Sequence, residues 1–240
     1  MGISGHVMSN AKLPSTSSAR EVADFLRKAA AAPAVKTGQG RLIFALDATA
    51  SRQPTWDKAC HIQGEMFTET ANLGGLNIQL VWYRGMGEFD AGPWLSRSAD
   101  LLQRMNGVFC AGGLTQIGRV LNHAIQETRK HRINAVVFVG DCMEEDQREL
   151  YRLAGQLAVL SVPVFIFHEG GEPLAAGTFR EIAHLSRGAY CSFDAGSAQQ
   201  LKELLSAVAV YAAGGRRALE DFSRRKGGMA LQLTHQVQNS

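Results

Sequence analysis

The sequence predicts a doubly wound α/β fold, in which a mostly parallel six-stranded sheet carries helices on both faces. Two apolar runs, Arg41–Asp47 and Ile133–Asp141, are continuous rather than alternating, which is typical of strands buried on both faces. Segments with helical periodicity separate the strand-like runs, and this order produces parallel sheets. Open α/β sheets place their ligands at the carboxyl ends of their strands, so those ends are the first place to look for a site.

The first half of the chain alternates between helices and strands after a polar lead. Ser17 or Ser18 can cap a first helix, which Pro33 ends. Pro54 is acceptable in the first turn of the next helix. The segment Glu88–Trp94 follows two glycines, which predicts an antiparallel edge hairpin. The predicted elements are a helix to Ala32, a strand 41–47, a helix 54–73, strands 76–84 and 88–94, and a helix 98–105.

The second half continues the same alternation. A glycine pair, Gly112-Gly113, precedes a helix, and the apolar strand ending at Asp141 follows it. Acidic residues from Glu144 onwards favour the first turn of the next helix, and Ser197 is a candidate cap for the last one. The predicted elements are helices 115–131, 144–160 and 179–186, strands 133–141, 162–168 and 189–193, and a long final helix.

Length and composition predict one globular domain. The chain has 240 residues, of which 45% are hydrophobic and 20% charged, and this is ordinary for a single α/β domain. We divide it into a polar segment with a short helix and linker (1–40), the domain (41–222) and a polar basic tail (223–240). The net charge of +3 is too small to indicate a nucleic-acid partner.

Cysteine usage and hydropathy predict a cytoplasmic protein. The four cysteines are dispersed, without a C-x-x-C pair, which is typical of reduced thiols rather than a disulfide framework. No apolar run is long enough to span a membrane, and the first residues do not resemble a secretion signal. We therefore expect no membrane association.

Oxygen-bearing side chains gather at the predicted carboxyl ends of two strands. Asp47-Ala-Thr49-Ala-Ser51 follows the first apolar run, Thr115 follows the glycine pair, and Asp141 ends the second apolar run. No His or Cys stands at metal-ligand spacing with them. Two carboxylates and three hydroxyls suit a hard divalent cation, Mg²⁺ or Mn²⁺, better than zinc.

These motifs resemble the three-part metal-ion-dependent adhesion site (MIDAS) of von Willebrand factor A (VWA) domains, over roughly residues 41–213. Two positions depart from the family pattern D-x-S-x-S and its later Asp-Gly: Thr49 replaces the first serine, and Cys142 replaces the glycine after Asp141. Thr49 keeps a hydroxyl ligand, whereas Cys142 would crowd the metal face. The resemblance implies a doubly wound sheet of the Rossmann-like type.

The resemblance also implies a function, that of a non-catalytic adaptor that binds a protein partner through its metal. The implied ligands are Asp47, Thr49, Ser51, Thr115 and Asp141, and an Asp or Glu of the partner would complete the coordination. Three neighbours of the last aspartate form a candidate partner-binding rim: Cys142, Glu144 and Glu145. By analogy with bacterial relatives of this fold, an AAA-type ATPase or a stress-response complex is the expected kind of partner.

Each of these residues, taken alone, also fits a purely structural role. An aspartate that ends a strand is usually a cap or turn former, and Glu144 and Glu145 also fit the first turn of a helix. The alternative function is a metal-dependent phosphohydrolase on a similar fold. That chemistry needs a second aspartate two residues after the nucleophile, where this chain has Thr49, so the general acid is missing. No P-loop, G-x-S-x-G or G-x-G-x-x-G motif follows a strand.

Overall fold

The structure is a computed structural model that describes residues 19–32, 40–52, 75–193 and 198–226. The described strands are β1 (Gly40–Asp47), β2 (Leu76–Arg84), β3 (Glu88–Leu95), β4 (Ala135–Gly140), β5 (Val164–Glu169) and β6 (Ala189–Phe193). The described helices are α1 (Ala19–Ala31), α2 (Ser98–Asn106), α3 (Ile117–Lys130), α4 (Gln147–Val159), α5 (Pro173–Leu185) and α6 (Ala198–Lys226), and a 3-10 turn spans Ala50–Arg52.

The described strands form one sheet in the order β3-β2-β1-β4-β5-β6. All neighbours are parallel except β2 and β3, which form an antiparallel hairpin at one edge. The chain moves from β1 to β2 on one side and later returns to place β4 on the other side of β1. The strand order therefore reverses between β1 and β4, and such a switch point is where open α/β sheets bind ligands.

The helices cover both faces of the sheet, which explains why residues 42–46 of β1 are all apolar. Leu42, Phe44 and Leu46 point into a cluster with α1, α2 and α6. Ile43 and Ala45 point into a second cluster with α3, α4 and α5. Because neighbouring strand residues face opposite sides, a strand between two helical layers needs apolar side chains at every position.

The predicted fold class is confirmed: the sheet is mostly parallel, six-stranded and doubly wound. The bounds of β2 and β6 match the prediction, and β3 is the expected antiparallel edge strand. The helix predicted at 54–73 and the cap at Ser197 lie outside the described residues. No helix in the described ranges is long and apolar enough to cross a membrane.

Two helix predictions were wrong at their start. The helix predicted from Phe179 begins six residues earlier, at Pro173, because the Glu172 side chain accepts hydrogen bonds from the first free backbone N–H groups. The helix predicted from Glu144 begins at Gln147, with Asp146 as its cap. The final helix is interrupted at Gly215, where φ is 71°, and its second part continues through Lys226. The helical range therefore includes the first residues of the range assigned to the tail.

A candidate metal site at the carboxyl ends of β1 and β4

Asp47 is the last residue of β1, and its side chain is fully buried at the switch point. One carboxylate oxygen accepts the backbone N–H of Thr49 at 2.8 Å, and the other accepts the hydroxyl of Tyr83 at 2.9 Å. Tyr83 is also fully buried and comes from the neighbouring strand β2. The carboxylate is therefore held in one orientation by two donors.

The loop after Asp47 turns sharply and carries two hydroxyls close together. The side-chain oxygens of Thr49 and Ser51 lie 3.2 Å apart, and residues 50–52 form a single 3-10 turn. Thr49 also forms an isolated parallel bridge with Ala111, and the Ala111 N–H donates to the Ala48 carbonyl. These contacts join the aspartate loop to the loop that leads to Thr115.

A buried arginine, Arg52, contacts the ends of three neighbouring strands. Arg52 is 1% exposed and donates to the backbone carbonyls of Asp47 and Val139, at 3.3 and 3.1 Å. Its Nε also pairs with the carboxylate of Glu169 at 2.9 Å. Arg52 thus bridges the carboxyl ends of β1, β4 and β5, the edge on which the two site aspartates stand.

Thr115 is joined to the loop that follows β4 by two reciprocal hydrogen bonds. The Glu144 N–H donates to the Thr115 hydroxyl at 3.1 Å, and the Thr115 N–H donates to the Glu144 carboxylate at 3.3 Å. Thr115 is 6% exposed. A hydroxyl oxygen that accepts one hydrogen bond keeps a second lone pair, so it can still bind a cation.

Glu145 has a role that its position in the sequence does not indicate. Its carboxylate accepts the N–H groups of Ile117 and Gly118 at 2.5 and 2.8 Å. These are free donors of the first turn of α3, where the helix dipole also favours a negative charge. Glu145 therefore stabilises the start of a helix, as expected, but that helix is α3 and not the helix that follows Glu145 in the chain.

Asp141 stands one residue beyond β4, beside the end of β1. Its backbone carbonyl lies 3.1 Å from Nε2 of the buried His168, whose Nδ1 contacts the Tyr190 hydroxyl at 2.8 Å. Its side chain differs from that of Asp47: Oδ1 of Asp141 is buried and has no hydrogen-bond partner within the part of the chain that the structure describes. A buried carboxylate oxygen without a donor is costly.

Burial and neighbouring negative charges raise the pKa values of several groups in this region. The pKa of Asp47 is raised, first by burial and also by the charge of Asp141. Burial and the nearby carboxylates raise the pKa of the Cys142 thiol to about 11, and burial raises the pKa of Cys110. Both thiols are therefore held in the protonated form at neutral pH.

The structure places all five predicted ligands at the carboxyl edge of the sheet, on three loops that are hydrogen-bonded to one another. The described ranges contain no cluster of three or more His, Cys, Asp or Glu side chains that could hold a metal. Of the predicted rim, Glu144 is exposed, whereas Cys142 and Glu145 are half-buried.

Sequence reasoning missed Tyr83 and Arg52. Tyr83 stands in register opposite Asp47 on β2, so the strand pairing could have indicated a contact. Arg52 directly follows the D-x-T-x-S pattern, but a lone arginine after a turn is normally exposed, and its partner Glu169 is distant in sequence. No local signal indicates that it is buried.

The sequence matches no protein-family model and no curated protein, but the fold matches solved structures. The SpRpn10 VWA domain is 16% identical with a TM-score of 0.55, over 74% of this chain and 97% of that domain. An aerotolerance-related membrane protein from Bacteroides fragilis NCTC 9343 is 14% identical with a TM-score of 0.55, over 71% of this chain and 98% of that one.

A third similar structure contains a metal. Proximal thread matrix protein 1 from the mussel byssus, with a zinc-occupied MIDAS motif, is 16% identical with a TM-score of 0.60. The alignment covers 72% of this chain and 46% of the mussel protein. At these identities the likeness establishes the fold: the chain has a VWA-type, Rossmann-like α/β fold.

Proposed function

We propose that this chain is a non-catalytic adaptor module that recognises an acidic group of a partner protein through a divalent cation. Its VWA fold is typical of protein-interaction modules. The cation would be held by the five residues at the carboxyl edge of the sheet: Asp47, Thr49, Ser51, Thr115 and Asp141. When bound, it would offer an exchangeable coordination position to a carboxylate.

The observation that carries the proposal is the buried, unpartnered oxygen of Asp141. Asp141 directly follows β4, the neighbour of the strand that ends in the buried carboxylate of Asp47, and the two negative charges repel each other. A cation between them would supply the missing partner and remove the repulsion. The five residues therefore fit a small divalent ion by charge and by donor type.

The balance of charge explains why the partner group should be acidic. Asp47 and Asp141 together neutralise one divalent cation, and the remaining ligands are neutral hydroxyls, so the cation stays electrophilic at its open position. Glu145 is engaged with the N-terminus of α3 and does not supply the last oxygen. A partner Asp or Glu can supply it, near the rim formed by Cys142, Glu144 and Glu145.

Oxygen ligands favour Mg²⁺ or Mn²⁺ as the cation, although the mussel protein carries zinc in its motif. We also propose a cytoplasmic location, because the three cysteines in the described ranges are free thiols. An AAA-type ATPase or a stress-response complex remains the proposed kind of partner, by analogy of fold alone.

A metal-dependent phosphohydrolase is the alternative. It would use Asp47 as the nucleophile, but Thr49 stands where the general acid is required and cannot act as one. With Mg²⁺ and p-nitrophenyl phosphate, we expect no turnover above that of an Asp47→Ala control. Turnover that this substitution abolishes would place the enzyme ahead of the adaptor.

The test of the adaptor function is a pull-down in Mg²⁺ that is repeated in chelator, with the wild type and Asp141→Ala as baits. We expect a partner that only the wild type retains, and only in Mg²⁺. Calorimetric titration of that purified partner then gives its affinity in both buffers. Equal affinity in Mg²⁺ and in chelator would exclude recognition through the cation.

A further inference from the structure

Exposed apolar side chains are concentrated beside the candidate metal site. Five large apolar side chains in the described residues are exposed, and three of them, Met86 (88%), Phe109 (69%) and Leu114 (56%), belong to the loops next to Thr115. We call these three the apolar patch. The other two are Val159 and Leu174. Contiguous exposed apolar surface commonly marks an interaction site.

Close backbone contacts bring the patch residues to one place. Met86 lies at the tip of the β2–β3 turn, between Gly85 and Gly87, which have φ angles of 58° and 105°. The backbone of Gly85 packs so tightly on Gly113 that a Cβ at Gly113 would lie 2.1 Å from the Gly85 carbonyl oxygen. Leu114 follows Gly113 directly, so Leu114 and Met86 adjoin the same contact.

Phe109 is joined to this turn through Arg84. The Arg84 guanidinium donates to the Phe109 carbonyl and pairs with Glu88, on the other side of the turn, at 2.7 Å. The same guanidinium lies over the ring of Trp82. The loop before Thr115 and the β2–β3 turn are thus fixed to each other.

Two residues at the start of α3 also form hydrogen bonds with the tip of the β2–β3 turn. The Gln116 side-chain amide donates to the carbonyls of Arg84 and Glu88 at 3.3 and 3.2 Å, and Arg119 donates to the Gly87 carbonyl at 2.7 Å. The backbone under the patch is therefore ordered before any partner arrives, which lowers the entropy cost of binding.

Arg119 gives this surface a positive charge. It is exposed, lies over the Phe89 ring, and donates to two neutral groups, Gly87 and Gln116. Within the described ranges it forms no ion pair. An exposed arginine without a counter-charge complements an acidic partner group.

From these contacts we infer that the apolar patch and Arg119 extend the recognition surface of the metal site. The occupant is an acidic segment of a partner protein in which a large apolar side chain lies between two carboxylates. One carboxylate binds the cation next to Thr115, the apolar side chain packs on Met86 and Leu114, and the second carboxylate pairs with Arg119. This inference rests on the proposed function, because it uses the cation as the first anchor.

The test uses synthetic peptides as the probe. Each fluorescent peptide has two glutamates with a leucine between them, the spacing varies across the set, and a matched set has serine in place of leucine. Binding is measured by anisotropy in Mg²⁺ and in chelator. The proteins are the wild type, Met86→Ser/Leu114→Ser, Arg119→Gln and, as a matched control, Val159→Ser, which alters an equally exposed apolar residue at the end of α4.

We expect the best leucine peptide to bind wild type roughly tenfold more tightly than its serine counterpart, as burial of one large apolar side chain predicts. Met86→Ser/Leu114→Ser should lose that preference, Arg119→Gln should weaken both peptides, and Val159→Ser should change neither. Wild-type preference of less than about twofold, or an equal loss in Val159→Ser, would overturn the inference.

A separate Mn²⁺ titration of each protein distinguishes the two proposals. If wild type binds Mn²⁺ but no peptide of either set, the extended surface is wrong and the metal site stands. If wild type binds no Mn²⁺, the proposed function fails. A leucine preference that persists in chelator would overturn the present inference, because the surface would then act without the cation.

Discussion

The two aspartates of the site occupy equivalent places at the ends of neighbouring parallel strands, yet their surroundings differ. Asp47 ends β1 with both carboxylate oxygens satisfied, by the Thr49 N–H and the Tyr83 hydroxyl. Asp141 follows β4 with a buried oxygen that has no donor in the described part of the chain. Asp47 therefore supports the fold, whereas the Asp141 side chain has an oxygen that could accept the proposed ligand.

The loops that follow these aspartates repeat the contrast. On the β1 side, Arg52 fastens the strand ends through the carbonyls of Asp47 and Val139. On the β4 side, the supporting role falls to Glu145, four residues beyond Asp141, which holds the start of α3. The supporting contacts involve the candidate ligand itself on the β1 side and a different residue on the β4 side, so substitutions on the two sides should have different effects.

The largest effect on stability is expected for Asp47→Ala. This change leaves the buried Tyr83 hydroxyl and the Thr49 N–H without their acceptor, which should lower the free energy of unfolding by about 3 kcal/mol. Urea unfolding in chelator, so that no metal contributes, measures the change against wild type. An Asp47→Ala protein as stable as wild type would mean that these hydrogen bonds are not formed.

A smaller loss is expected for Glu145→Ala. The change removes the acceptor for two N–H groups of α3 and a favourable charge at its N-terminus, which should cost about 1–2 kcal/mol. Mn²⁺ affinity should change far less, because Glu145 is not among the proposed ligands. Urea unfolding and a metal titration on the same sample separate the two effects. A loss of Mn²⁺ binding with normal stability would make Glu145 a ligand.

Asp141→Ala is expected to act in the opposite direction. In chelator, it removes a buried oxygen without a donor and relieves repulsion with Asp47, so the free energy of unfolding should stay equal or rise by about 1 kcal/mol. Asp100→Ala, a change on the surface of α2, serves as the control for a lost carboxylate. If Asp141→Ala is destabilised as strongly as Asp47→Ala, the contrast between the two strands is wrong.

The smallest expected effect is a dependence of stability on pH that arises from Asp47. Its pKa in the folded protein is raised above the ordinary value of 3.8, first by burial, so the folded state holds the proton more tightly than the unfolded state does. The resulting stability is present below pH 3.8 and is lost as the pH rises through the raised pKa.

The measurement for this prediction is the free energy of unfolding in chelator across that pH range, for wild type and Asp47→Asn. The difference between the two proteins isolates Asp47 from the other carboxyl groups. We expect wild type to lose stability relative to Asp47→Asn as the pH rises. A difference that is constant with pH would show that the pKa of Asp47 is the same in the folded and unfolded states.

Much of the fold could be predicted because its signals are local. Continuous apolar runs predicted β1 and β4, and the glycines Gly85 and Gly87 predicted the β2–β3 hairpin. Both glycines adopt positive φ in the structure. The start of α5 was missed because its first turn contains mostly small residues, so the apolar pattern becomes visible only at Phe179. The sequence feature that indicates the start of α5 is Glu172 followed by Pro173.

The position of the candidate ligands could be predicted from the sequence, but the contacts that support them could not. The D-x-T-x-S pattern, Thr115 and Asp141 stand at places that the strand pattern determines, so their location at the carboxyl edge of the sheet could be predicted. The burial of Arg52, the reach of Glu145 to α3 and the unpartnered oxygen of Asp141 all depend on contacts between distant segments. No local pattern encodes such contacts.

The most direct test of the central claim is a titration with Mn²⁺ followed by electron paramagnetic resonance, on wild type, Asp141→Ala and Thr115→Ala. We expect one bound ion in wild type, no binding in Asp141→Ala, and affinity weakened roughly tenfold in Thr115→Ala, since a neutral hydroxyl contributes less than a carboxylate. Wild type that binds no Mn²⁺, or Asp141→Ala that binds it as tightly as wild type, would contradict the metal site.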